Sequence, residues 1–176
     1  MKLLRYSKYL ESLAYYWTGA NDSKLPDRKN YAHNREIGMN IAFSTGRKPS
    51  LAESICPWVK EAQYYIYANN TCRHTCGEYK QMISSHTSEV GCAMGERNDV
   101  VPGWPNPQYV TVCVYRPRGN FGTTKPYRSA PSCYYCRMDE YCYRNQCVRN
   151  PQFNHVYPTN NLPKPEDREV PQCAVV

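Results

Sequence analysis

Apolar residues at Leu3, Leu4, Tyr6, Tyr9, Leu10, Leu13, Ala14 and Trp17 recur at spacings of three and four, which predicts an amphipathic helix over 3–17. Leu3, Tyr6, Leu10, Leu13 and Trp17 form its core-facing stripe, and Gly19 closes it. The polar stretch 21–30, interrupted by Pro26, reads as an exposed loop. Residues 37–44 (IGMNIAFS) are a short apolar segment broken by Gly38. Ser50 with Glu53 three positions later is a capping box and starts a second helix. Its stripe runs through Leu51, Ile55, Trp58, Val59, Ala62, Tyr65 and Ile66, and Pro57 inside it predicts a kink or a late start. A third helix is expected over 75–82. Two strands follow, at 90–94 and 109–115, and in the second Val110, Val112 and Val114 alternate with Thr111 and Cys113. Between them, residues 95–108 read as a long loop in which Pro102, Pro105 and Pro107 surround Gly103 and Trp104.

Composition narrows the class. Ten cysteines in 176 residues, an even count, point to paired disulfides and an oxidising compartment. Two acceptor sequons, at Asn21 and Asn69, fit a secreted glycoprotein. No secretory leader heads the sequence, so the secreted reading implies a mature or trimmed form. No apolar run is long enough to span a bilayer, so stable membrane insertion is not expected. The net charge of +7 is scattered and forms no basic helix face, which argues against nucleic acid.

The composition shifts after residue 120. Cys133, Cys136, Cys142 and Cys147 fall within fifteen residues and favour a disulfide knot over a zinc site. Residues 150–176 carry five prolines and no period, with a last cysteine at Cys173. Three units are therefore expected: 1–120, 121–149 and a Pro-rich tail, 150–176.

Ordered motifs along the chain resemble the CAP superfamily of cysteine-rich secretory proteins, antigen 5 proteins and pathogenesis-related proteins. LESLAYYW (10–17) resembles the family's second helix, and GMNIAFSTG (38–46) its GENIA segment. WVKEAQYYIYANNTC (58–72) is similar to the WYDE helix with its NTC. CGEYKQMI (76–83) is similar to CGHYTQVV, VGCA (90–93) to VGCA, and VCVYRPRGN (112–120) to VCNYxPxGN. KPYRSAPSCYYC (125–136) with Cys142 and Cys147 resembles the family's hinge. Within the superfamily the chain is most similar to helminth, and especially trematode, venom allergen-like proteins.

The resemblance implies an α+β fold, a three-layer α-β-α sandwich around a three- or four-stranded antiparallel sheet, here without the family's usual first helix, followed by the cysteine-rich hinge and an irregular tail. It implies the pairs Cys72–Cys76, Cys92–Cys113, Cys133–Cys142 and Cys136–Cys147, which leaves Cys56 and Cys173 to tether the tail. The family's cleft carries two His and two Glu that can hold a divalent cation. Here Glu61 keeps its place, Met39 and Glu78 replace a glutamate and a histidine, and His33 fits only with an insertion. This degenerate set implies no bound zinc and leaves room only for a weak hard-cation site at the paired carboxylates Glu61 and Glu78, with no cofactor and no catalysis expected.

What the resemblance offers instead is lipid binding. A sterol is expected at the 95–109 loop, through Trp104, Pro105, Pro107 and Tyr109. A fatty acid is expected between helices, along Leu51, Ile55, Val59, Ala62 and Ile66. A secreted lipid-binding role at a host–parasite interface is thus the leading expectation. The alternatives are a protein ligand for a host receptor or plasma protein, and a hydrolase working through the degenerate set.

Overall fold

The computed structural model describes residues 1–19, 36–119, 123–143, 145–149 and 173. The expected loop at 21–30, with Asn21, as well as His33 and most of the 150–176 tail, lie outside the described residues.

The first helix begins later than its apolar spacing suggests. Ser7 accepts the Leu10 N–H at 3.4 Å and caps α1 (Lys8–Trp17). Leu3 and Tyr6 therefore leave the helical stripe. Tyr6 lies in a short edge strand, β1 (Arg5–Tyr6), and the Leu3 N–H donates to the Cys147 carbonyl at 2.9 Å. Local spacing loses here because a neighbouring strand offers unpaired backbone groups that the first turns of a helix would leave unused.

Residues 37–44 do not break at Gly38. They form β2 (Gly38–Thr45), in which Gly38 leaves room for the buried Gln81 amide, whose oxygen would lie 1.9 Å from a Cβ at this position. The capping box closes as expected, with the Ser50 N–H donating to Glu53 at 2.7 Å, and α2 (Leu51–Lys60) runs through Pro57. It does not reach Ile66. The backbone tightens into a 3₁₀ turn (Glu61–Tyr64), and Tyr65 and Ile66 become β3 (Tyr65–Ile66), which pairs with β4 (Thr71–Cys72). Then follow α3 (Gly77–Met82), β5 (Glu89–Arg97) and β6 (Gln108–Arg116); these two strands are longer than their apolar cores. A hairpin, β7 (Tyr141–Tyr143) and β8 (Gln146–Val148), completes the described elements.

The main sheet has the order β1-β5-β6-β2, antiparallel through its three long strands with β1 parallel at the edge. Strand β6 is buried on both faces, and its period of two feeds two cores. Val110, Val112 and Val114 meet Leu10, Ala14 and Trp17 of α1. Cys113 and Tyr115 meet Trp58 of α2 on the other side. The result is three layers: α1, the sheet, and α2 with α3. At Gly91 the first turn of α1 lies directly on β5, and a Cβ there would sit 2.2 Å from the Glu11 amide nitrogen, so only glycine permits this layer spacing.

Five disulfides join Cys56–Cys173, Cys72–Cys76, Cys92–Cys113, Cys133–Cys142 and Cys136–Cys147. Residues 1–5 connect the β7–β8 hairpin to the sheet. Cys147 exchanges backbone bonds with Met1 and Leu3, and the Arg5 N–H donates to Ser88 at 2.9 Å. Glu89, buried at the start of β5, is clamped between Arg5 and Arg116, whose Nε donates to it at 2.7 Å.

Candidate functional site

Two places bring together residues singled out in the sequence. At the first, the 3₁₀ turn after α2 carries Glu61 to the start of α3. There Glu61 accepts the Tyr79 N–H at 3.0 Å, one of the free donors of the helix start, and the Asn40 side chain donates to the Glu78 carbonyl at 3.0 Å. Glu61 and Glu78 are neighbours. Burial, reinforced by the Glu78 charge, pushes the Glu61 carboxyl up to about 7 against the opposing Tyr79 hydrogen bond.

Met39, by contrast, packs into the α1-side core. It sits one position from Asn40 on β2, so the pleat turns it to the other face of the sheet. Of the described histidines, His74 meets the Tyr64 ring edge-on at 4.9 Å and His86 is exposed. A zinc ion needs about four N, S or O ligands in a tetrahedron. Met39 turns away, and one of the two carboxylates is already committed to a helix N-terminus, so the described residues do not fit that ion. Cys136, Glu140 and Cys147 converge elsewhere, but the two cysteines are bonded to each other and offer no thiolate.

The Glu61 environment sets a pH dependence. The carboxyl titrates near its ordinary 4.5 when unfolded and near 7 when folded. Between those values unfolding releases a proton, so the stability this carboxyl contributes is fully present below pH 4.5 and is lost as pH rises through 7. Solvent screening reduces the effect to on the order of 1 kcal/mol. Denaturant titrations at pH 5 and pH 8 should show this decline in the wild type and lose it in Glu61→Gln, whose amide oxygen still accepts the Tyr79 N–H.

The five residues expected to line a helix channel do not come together. Ile55 packs on Trp58, Cys113 and Tyr115, whereas Leu51, Val59 and Ala62 are exposed and Ile66 belongs to β3. The core-facing direction of α2 runs through Ser54 and Trp58. At 100° per residue, Val59 is rotated out of it.

The second place is the turn at 98–107. Residues 95–97 and 108–109 belong to β5 and β6, so the loop is shorter than its composition suggests, and Tyr109 is a buried strand residue. The turn is tied to itself. The Asn106 side chain donates to Asp99 Oδ1 at 2.9 Å and accepts the Asp99 N–H at 3.0 Å. Gln108 is almost fully buried. Its side chain accepts the Val101 N–H at 2.8 Å and donates to the Val101 and Trp104 carbonyls at 3.2 and 3.0 Å. The Gly46 N–H donates to the Pro107 carbonyl at 3.0 Å. On this braced frame Trp104 is 44% exposed, Pro105 is exposed and Pro107 is half-buried. Gln108 was not visible as a site residue; a lone polar residue ahead of an apolar strand was its only signal.

The tyrosines at the end of the second helical stretch join segments. Tyr67 stacks on Tyr127 at 4.9 Å and donates to its carbonyl at 3.0 Å, and Tyr65 donates to Asn70 at 3.0 Å. Asn69 is exposed in the same β3–β4 turn, where its side chain accepts the Thr71 hydroxyl at 2.7 Å.

Comparison with known proteins places this arrangement. The model of the CAP, or cysteine-rich secretory protein, family matches residues 1–115. Human GLIPR1-like protein 1 is 30% identical over 181 residues, covering 99% of this chain and 72% of its own length. Mouse glioma pathogenesis-related protein 1 is 28% identical, covering 89% of this chain, which spans 58% of that relative. Among solved structures, Schistosoma mansoni venom allergen-like protein 4 superposes with a TM-score of 0.57 at 24% identity, over 74% of this chain and 77% of that one.

Proposed function

Because the chain belongs to the cysteine-rich secretory protein (CAP) family, we propose that it is an extracellular, non-enzymatic lipid-binding protein whose ligand-contacting element is the turn at 98–107. The observation that carries this reading is Trp104, a large aromatic ring left 44% exposed on a backbone braced by Gln108 and Asn106. A pre-ordered apolar surface spends little of its binding free energy on ordering itself. The bracing also means that a sterol meets the outer face of the turn, with no need for the segment to swing open.

Support for an extracellular setting comes from the five disulfides, which take up all ten cysteines. The same bonding leaves no thiol nucleophile, and Glu61 is engaged with the start of α3, which favours binding over hydrolysis.

Covering the exposed part of the Trp104 ring contributes about 2 kcal/mol, or roughly thirtyfold in affinity. Saturable binding of labelled cholesterol is therefore expected for the intact protein and should weaken by roughly thirtyfold in Trp104→Ala. Absence of saturable binding, or equal affinity in the variant, rules the reading out. Tyr109 is unsuitable for this test because its removal would open the sheet.

A further inference from the structure

Four large side chains of the disulfide-bonded segment, Tyr134, Tyr135, Met138 and Tyr141, stand in solvent, from 57% exposure at Tyr135 to 108% at Met138. Single exposed apolar residues are ordinary, but four within eight positions mark a contact surface. The bonds Cys133–Cys142 and Cys136–Cys147 hold the backbone of this short segment, so these side chains have no core of their own to retreat into.

The surrounding charge is one-sided. Among the described residues of 123–149, Lys125, Arg128, Arg137 and Arg149 stand against only Asp139 and Glu140. Asp139 is already paired with Arg149 at 3.1 Å, and Glu140 accepts the Arg137 N–H at 2.9 Å. The Arg128 guanidinium lies over the Tyr135 ring, 5.7 Å from its centroid. Beside Tyr134 and Tyr135 a groove of about 340 Å³ is lined by Arg128, Ser129 and Ser132, donors suited to a phosphate group.

We propose that this knot docks the protein on anionic lipid bilayers, its tyrosines and Met138 seated at the headgroup boundary and its arginines on lipid phosphates. Tyrosine favours that boundary because its ring is apolar and its hydroxyl is wet. Basic residues add attraction to an anionic leaflet, and the disulfides remove the ordering cost. The surface is separate from the Trp104 turn. The knot joins the sheet at the Glu89 end of β5 and the turn leaves it at Arg97, and a nine-residue strand spans about 27 Å.

Sedimentation with sterol-free vesicles tests this independently of cholesterol binding. One set contains phosphatidylcholine with about a third phosphatidylserine, the other phosphatidylcholine alone. The wild type should partition at least tenfold more strongly onto the anionic set, with most of that preference lost in high salt. Met138→Ser with Tyr141→Ser should reduce partitioning at least tenfold without changing thermal unfolding. Arg137→Gln, which keeps every apolar contact, should reduce it roughly fivefold. Equal partitioning onto the two sets, none on either, or variants that bind like the wild type would each overturn the proposal, and a protein partner would then be the occupant of this surface.

Discussion

Trp58→Ala is expected to destabilise the fold by about 3–5 kcal/mol. The ring is 3% exposed and is the centre of the core between α2 and the sheet, touching Cys113 and Tyr115 of β6. Two losses combine in this variant. The transfer free energy of a large aromatic side chain disappears, and a cavity remains between α2 and the sheet that the close-packed neighbours fill only in part. The indole N–H also donates to the Ile41 carbonyl of β2 at 3.4 Å, a tie between the helical layer and the sheet that is lost with the ring. Val59→Ala, at the next position but on the exposed side, is expected to change stability by less than about 0.5 kcal/mol. Equilibrium unfolding in guanidinium chloride under non-reducing conditions measures both variants, and a small effect at Trp58 would show that the second core does not carry the fold.

Replacing Cys56 and Cys173 together by alanine is expected to cost about 4 kcal/mol. This bond closes a separation of 117 residues, the longest of the five. In the chain-entropy model a closure of about a hundred residues removes roughly 4.7 kcal/mol of conformational freedom from the unfolded chain. The other four disulfides lie inside that loop and shorten its effective length, which lowers the figure by only about half a kcal/mol because the dependence is logarithmic. The same unfolding experiment tests it. The loss should appear chiefly as a lower midpoint, and a stability equal to the wild type would mean that the unfolded chain is already compact around the remaining bonds.

Strands β5 and β6, the helix cap and the family were legible because each rests on short stretches of residues. The alternation of Val110, Val112 and Val114 specifies a strand wherever one face meets a core. Ser50 and Glu53 satisfy each other's backbone donors without help from the rest of the chain. Boundaries were less legible where a tertiary partner competed with local spacing. The stripe starting at Leu3 ended at Ser7 because β5 offered hydrogen bonds to Arg5 and Tyr6, and the stripe through Ile66 ended at Lys60 because Tyr65 and Ile66 paired with β4.

The candidate site divides along the same line. Trp104 was recognisable as an exposed aromatic among prolines, a signal carried by composition. The brace beneath it was not, since nothing local indicates that Gln108 will fold back against Val101 and Trp104. Likewise, the approach of Glu78 to Glu61 depends on two helices meeting, and the opposite facing of Met39 depends on the register of β2 against β6.

By itself, then, the sequence determined the family through its ordered motifs, and only through that resemblance the layered α+β class, while the paired state of its cysteines and the chemistry available at each position follow from residue type and count. Tertiary structure alone decided which of those residues meet. It turned Glu61 into a helix cap with a raised pKa, braced Trp104 on Gln108, and left three tyrosines and a methionine outside any core, since distance, burial and facing arise only when distant segments pack together.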